Sequence, residues 1–277
     1  MALFDRGVEI KTPEQIEAMR RAGLVVGGTL ELLRGHVRAG VTTAELDAVA
    51  EDNIRSSGAT PSFLGYQGFP ASICTSVNDE VVHGIPGGRV LADGDVVSID
   101  CGAIVLDDAG RGWHGDAAIT VSVGSVATEL QALMDVTEQA MWHGIAAAAL
   151  GGRVTDISHA VERYVRTQGT YGIVEDYTGH GIGSAMHQPP DVPNFGRPGK
   201  GPRLVPGLAL AVEPMIALGA QETDLLDDDW TVVTADGSWA AHFEHTFTIT
   251  AEGTWVLTAL DGGEQQLSDL GVKFGGR

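Results

Sequence analysis

Leu46-x-x-Val49-Ala50-Glu51-x-x-Ile54-Arg55-x-x-Gly58 and Ile157-x-x-Ala160-Val161-Glu162-x-x-Val165-Arg166-x-x-Gly169 are two copies of one pattern. Each carries apolar residues at helical spacing and stops at a glycine, the residue best suited to end a helix. The likeness continues downstream. His83-Gly84-Ile85 follows the first copy and His180-Gly181-Ile182 the second. Gly94 precedes Asp100 by the same interval as Gly207 precedes Glu213, and each half closes on a further acid beside a strand, Asp116 and Glu244. Four matches in one order predict a duplicated unit, residues 40–123 and 151–250, paired about a pseudo-twofold axis with the functional groups near it. No Pro/Gly/Ser-rich linker separates the halves, so a single domain over 1–277 is expected.

Outward from the repeat, Thr12-Pro13-Glu14-Gln15 reads as a helix start, with Thr12 as cap, Pro13 in the first turn and Gln15 closing a capping box. That helix extends to about Leu33, and a second spans Thr43 to Arg55. Strand composition follows at Ser72–Val82, Val96–Cys101 and Ala117–Val123. Helical patterns return over Ser125–Leu150 and Thr155–Arg166, then strands at Ala209–Val212, Thr231–Thr234 and His242–Thr250. Helices, strands, helices, strands is the order of an α+β fold rather than of alternating βαβ units.

Composition narrows the function. The 277 residues carry 17 Lys+Arg against 37 Asp+Glu, a net charge of −20 that disfavours nucleic acid and anionic membranes as partners. Hydrophobic residues make up 43% of the chain, enough for a large core, yet no apolar run is long enough to span a bilayer. The opening stretch MALFDRGVEIKTPEQ lacks a basic region leading into an apolar one, so no signal peptide is expected. Cys74 and Cys101 are the only cysteines and form no CxxC pair, which fits a reducing cytoplasm and argues against a disulfide framework.

The acids that need explaining sit inside apolar runs. Asp100 ends Val96-Val97-Ser98-Ile99, and Glu213 ends Leu208-Ala209-Leu210-Ala211-Val212. Glu244 lies in His242-Phe243-Glu244-His245-Thr246-Phe247, where strand alternation puts it opposite Phe243 and Phe247. Asp116 follows Trp113-His114-Gly115, and His180 stands between two glycines. Each alone reads as a capped turn or a buried ion pair. Together they lack nearby Lys or Arg in sequence, and burying them uncompensated is costly. Two divalent cations would balance four carboxylates; in two-metal hydrolases such ions sit roughly 3.5–4 Å apart and activate a shared water.

The set Asp100, Asp116, His180, Glu213, Glu244 resembles the metal-ligand set of the methionine aminopeptidase family. Ile10-Lys11-Thr12-Pro13-Glu14, Ser76-Val77-Asn78-Asp79-Glu80-Val81-Val82-His83-Gly84-Ile85-Pro86, Thr178-Gly179-His180-Gly181-Ile182-Gly183, Glu213-Pro214-Met215 and Glu244-His245-Thr246 strengthen the resemblance along nearly the whole chain. It implies the pita-bread fold, a central antiparallel sheet with flanking helices. It also implies two divalent ions (Co, Mn, Fe, Zn or Ni) and removal of the initiator methionine from nascent polypeptides in the cytoplasm. The short spacings from His180 to Glu213 and on to Glu244 are similar to type I enzymes, and a monomer is expected.

By the same resemblance Asp100 binds one metal, His180 the other, and Asp116 and Glu244 bridge. Glu213 ligates and carries a proton; His83 and His187 contact the substrate, with His187 at the scissile carbonyl. Tyr66, Phe69, Cys74, Met186 and Trp230 line the methionine pocket.

Three departures stand out. Val105-Leu106-Asp107-Asp108-Ala109-Gly110-Arg111-Gly112-Trp113-His114-Gly115 makes the Asp100–Asp116 connection longer than is usual in that family, so it must bulge outward if the clamp is to survive. Gly102 replaces a usual threonine, and Met186 a commonly aromatic residue. An acidic stretch after Glu213 (Glu222, Asp224, Asp227, Asp228, Asp229) weakens any transient contact with the ribosome. Two other readings remain open at this point: a proline-specific peptidase of the same fold, and a metal-free binding module.

Overall fold

The capping box at Thr12 forms. Gln15 N donates to Thr12 Oγ1 at 3.3 Å and Thr12 N to Gln15 Oε1 at 2.8 Å, which starts α1 (Pro13–His36). A second box, Thr42 with Glu45, starts α2 (Thr43–Ser56). The computed structural model describes residues 7–276; the first six, part of the stretch read for a signal peptide, lie outside the described residues. The chain then runs through β1 (Thr60–Pro61), a short 3-10 turn, β2 (Ile73–Val77), β3 (Glu80–Val82), β4 (Val96–Leu106) and β5 (Gly112–Ser122). Helices α3 (Thr128–Ala146) and α4 (Val154–Gln168) follow. The second set of strands is β6 (Gly172–Ile173), β7 (Gly179–Gly181), β8 (Gln188–Val192), β9 (Ala209–Val212), β10 (Met215–Ala217), β11 (Thr223–Leu225), β12 (Val232–Thr234), β13 (Ala240–His242), β14 (Glu244–Ile249) and β15 (Thr254–Val256), before α5 (Glu264–Asp269).

Three expectations need correction. Ser72–Val82 is two strands, because Asn78 turns the chain at φ 64° and its side chain bonds Val96 N and Asp95. Strands β4 and β5 are longer than read, pairing from Val96↔Ser122 out to Leu106↔Gly112. The run His242–Thr250 breaks at Phe243: β13 pairs with β10, whereas β14 pairs with β5, β9 and β15.

The main sheet is antiparallel, in the order β1-β4-β5-β14-β9-β7-β8, with β2 added to β4 and β15 to β14. Strands β5 and β14 meet at Glu244↔Ala118, flanked on their outer sides by β4 and β9. The pleat then sorts the side chains. Val97, Ile99 and Cys101 of β4, Ala117, Ile119 and Val121 of β5, Leu210 and Val212 of β9, and Phe247 and Ile249 of β14 all enter one core with residues of α1, α2, α3 and α4. Asp100, Asp116, Glu213 and Glu244 fall on the alternate positions, so the helices cover one face and the carboxylates share the other. No helix among the described residues is long and apolar enough to cross a membrane.

Candidate metal centre and substrate cavity

Four of the five sequence-predicted ligands are buried: Asp116, His180, Glu213 and Glu244. Asp100 is half-buried as a residue, with its Oδ1 buried. Asp100 Oδ1, Asp116 Oδ1 and Glu244 Oε1 have no hydrogen-bond partner. Among the described residues none of the four carboxylates has a lysine or arginine ion pair; Glu213 instead faces imidazoles, His180 Nε2 at 3.5 Å from Oε1 and His242 Nε2 at 3.6 Å from Oε2. Ligand atoms of Asp116, His180 and Glu244 lie within 4.8 Å of one another, as do those of Glu213, His242 and Glu244.

The electrostatics follow from this geometry. Burial, then the neighbouring carboxylates, pushes Asp116 and Glu244 well above the usual carboxylate range. Burial raises Glu213 as well. Asp100 is raised by burial and by Glu213, against the opposing pull of His242. Burial, and secondarily His187, holds His180 at about 3, so its ring is neutral. His180 Nδ1 lies 3.0 Å from Gly181 O, which assigns the proton to Nδ1 and leaves the Nε2 lone pair facing the carboxylates. Unpartnered buried oxygens around a neutral imidazole suit divalent cations, and the residues present fit that group.

Next to these ligands is a cavity of about 260 Å³. Its lining includes Asp100, Asp116, His180, Glu213 and Glu244 together with the five pocket residues Tyr66, Phe69, Cys74, Met186 and Trp230, and His83 and His187. Phe69, Cys74 and Met186 form an apolar cluster with Phe63 and Ala71, with Tyr66 and Trp230 packed against it. Trp230 meets Phe69 edge-on at 5.0 Å and His83 at 6.1 Å. His83 holds a left-handed backbone at φ 60°, a strained conformation for a non-glycine residue, found where a side chain must be aimed. Burial lowers its imidazole to about 4. His187 lies against His180 with ring centroids 4.3 Å apart, and Tyr66 Oη sits 2.9 Å from His187 Nδ1.

A family model described as metallopeptidase family M24 matches residues 17–251. The chain belongs to metallopeptidase family M24. The methionine aminopeptidase of Clostridium acetobutylicum is 52% identical to it over 250 residues, covering 90% of this chain and 98% of that protein. Methionine aminopeptidase 1 of Mycobacterium tuberculosis is 52% identical over 262 residues, covering 91% and 96%. The solved methionine aminopeptidase of Thermotoga maritima superposes with a TM-score of 0.87 at 38% identity, covering 91% of this chain and 99% of that one. Prolidase from Pyrococcus furiosus, at 21% identity and TM-score 0.72, shares the fold alone. The α+β architecture is thus the pita-bread fold of M24 methionine aminopeptidases.

Within this M24 chain the departures find physical reasons. The extra residues between Asp100 and Asp116 continue the β4–β5 ladder outward to a turn at Asp107–Arg111, leaving the carboxylates in place. Gly102 pairs with Asp116, and a Cβ there would lie 2.8 Å from Phe63 Cε1 and from Ser62 Cβ, so the Phe63 ring fills the space a threonine would take. Sequence reasoning missed Phe63 and Gln67 in the cavity lining, and His242 beside Glu213. For His242 a signal existed: it stands two residues before Glu244, where an unbroken strand would put both on one face, and despite the break at Phe243 its ligand atom stays within 4.8 Å of those of Glu213 and Glu244.

Proposed function

We propose that the chain hydrolyses the bond after an N-terminal methionine in nascent proteins and peptides whose second residue is small. The observation that carries this reading is one cavity lined both by an apolar cluster and by five metal-type ligands. Asp100, Asp116, His180, Glu213 and Glu244 would hold two divalent ions (Co, Mn, Fe, Zn or Ni). Bound there, such ions acidify water and polarise the scissile carbonyl.

The chain's own groups do the remainder. The apolar wall of Phe69, Cys74, Met186 and Trp230 excludes water from the methionine side chain, for which Met186 and the aromatics offer polarisable contacts. Tyr66 Oη donating to His187 Nδ1 leaves the ring proton on Nε2, where it donates to the carbonyl oxygen as negative charge develops. Burial keeps His187 in that neutral form. His83, aimed by its strained backbone, hydrogen-bonds the substrate on the other side. Glu213 would take the proton of the attacking water and pass it to the departing amine, the role of a carboxylate general base and acid.

The same reading makes residues 1–277 one catalytic domain of two related halves, acting as a cytoplasmic monomer. Exposed acids at Glu222, Asp224, Asp227, Asp228 and Asp229 keep any ribosome contact weak. The test is a peptide panel with the metal-loaded protein: turnover of Met-Ala-Ser without turnover of Ala-Pro or Arg-Pro peptides is expected, and the reverse would reject the assignment.

A further inference from the structure

Glu9 does not line the cavity, yet its carboxylate gathers five polar contacts. Ser184 N and Gln188 Nε2 donate to its Oε2 at 3.0 and 2.9 Å; Ser184 Oγ and Arg111 NH2 donate to its Oε1 at 2.7 and 2.8 Å. Lys11 Nζ, its side chain 1% exposed, lies 3.7 Å from Oε2 and also donates to Gln188 Oε1 at 3.4 Å. The residues held are the two ends of the segment 184–188, whose middle carries Met186 and His187 into the cavity. Gly183 at its base leaves no room for a Cβ, which would collide with Lys11 Cε and Glu9 Oε2.

Arg111 comes from the turn of the extended β4–β5 hairpin. Asp107 fixes that turn, accepting from Ala109 N, Arg111 N and Trp113 Nε1, and the Arg111 guanidinium stacks over Trp113 at 4.8 Å. His114 N, two residues before Asp116, donates to Gly183 O at 2.9 Å. The strands bearing Asp100 and Asp116 are therefore tied to the His187 segment at two points, and Glu9 is the node of one of them.

We propose that Glu9 is a positioning residue for the reaction: together with Arg111 it locks the 184–188 segment to the β4–β5 hairpin, fixing His187 and Met186 relative to the metal-binding carboxylates. The inference rests on the reading of His187 as the carbonyl-contacting group. It makes the hairpin extension a brace for the substrate side of the site.

A double-mutant cycle tests it, with kcat and KM for Met-Ala-Ser measured on metal-loaded wild type, Glu9→Ala, His187→Ala and the double variant, alongside metal content and Tm. Glu9→Ala is expected to lower kcat about tenfold with little change in KM or metal content, and to cost under about twofold once His187 is alanine, because the two act as one unit. Glu9→Gln, still able to accept from Ser184 N, recovers part of the loss. Should Glu9→Ala fold poorly, Ser184→Ala removes one bond to the carboxylate and is expected to give the same non-additivity at smaller size. Equal costs in both backgrounds, or wild-type kcat for Glu9→Ala, overturn the link while leaving the role of His187 intact. Wild-type kcat for His187→Ala instead rejects the reading of His187, and this inference with it.

Discussion

His242 Nε2 lies 3.6 Å from Glu213 Oε2, on the opposite carboxylate oxygen from His180 Nε2 at 3.5 Å, so Glu213 is bracketed by two imidazoles and has no lysine or arginine ion pair among the described residues. A neutral amide at this position keeps the shape but removes the proton acceptor. In Glu213→Gln, kcat is expected to fall by about 10²–10⁴, the range of general acid–base catalysis, with KM changed far less. Metal content is measured alongside, because Glu213 is also a proposed ligand. A metal-replete Glu213→Gln enzyme with kcat near wild type would remove Glu213 from the proton path.

Stripping divalent cations should abolish activity and lower thermal stability together. Without them the buried oxygens of Asp100, Asp116 and Glu244 are unpartnered, and burial plus mutual repulsion drives Asp116 and Glu244 toward the protonated form. At free metal a hundredfold above its dissociation constant, binding stabilises the folded state by about 2.7 kcal/mol. Calorimetry before and after chelation, with Mn²⁺ or Co²⁺ added back, reads both effects. Full turnover by protein verified to be metal-free counts against the metal-dependent mechanism.

The face that carries the four carboxylates was legible because it is a local pattern. In Val96-Val97-Ser98-Ile99-Asp100 the pleat alone decides that Ile99 enters the core and Asp100 the other face, and the same holds for Glu244 beside Phe243. What could not be read locally depends on distant partners. Phe63 belongs to the site because Gly102 leaves room for its ring, and Glu9 matters because Arg111 arrives from a hairpin about a hundred positions away. Strands such as β7 and β10, three residues each, are too short to show alternation and exist by pairing with neighbours already in place. The ladder pairing of the hairpin extension could not be read locally, because Asp107, Asp108, Gly110 and Gly112 give the segment the composition of a loop.

Glu9 and Lys11 give the fold an acid-dependent term. Burial raises the Glu9 carboxyl, but hydrogen bonds from Ser184 and Gln188 and the charge of Lys11 outweigh it and hold the group at about 2, against 4.5 when unperturbed. Between those values the unfolded chain binds more protons than the folded one, so the Glu9 contribution is present above about pH 4.5 and is lost as pH falls through about 2. Lys11 acts at the other end: burial lowers it to about 8 despite Glu9, so stability rises with pH between about 8 and 10.5. The difference in urea midpoint between wild type and Glu9→Gln is expected to shrink steadily from pH 4.5 to pH 2. A difference that stays constant across that window would show that Glu9 is not held ionised by its partners.

Specificity is set at both ends of the cavity. The chamber of Phe63, Phe69, Cys74 and Met186, flanked by Tyr66 and Trp230, is apolar, and a charged first residue would be buried there without a partner, at a cost of several kcal/mol. Leucine differs from methionine only in branching, a shape difference worth about 1–3 kcal/mol, so Leu-Ala peptides should be cut slowly rather than not at all. His83 and His187 line the same cavity as the five proposed ligands, and in the proposed reading they leave little room for the second residue. Met-Ala, Met-Gly and Met-Ser peptides are therefore expected to be cleaved, and Met-Lys and Met-Phe to resist. Met186→Ala would enlarge the first chamber and relax the preference there, raising relative turnover of Phe-Ala or Leu-Ala peptides without admitting Met-Phe. The two positions vary independently in a peptide panel, and kcat/KM across it gives both preferences at once. If Met186→Ala changes tolerance at the second residue and not the first, the chamber described here does not hold the methionine side chain.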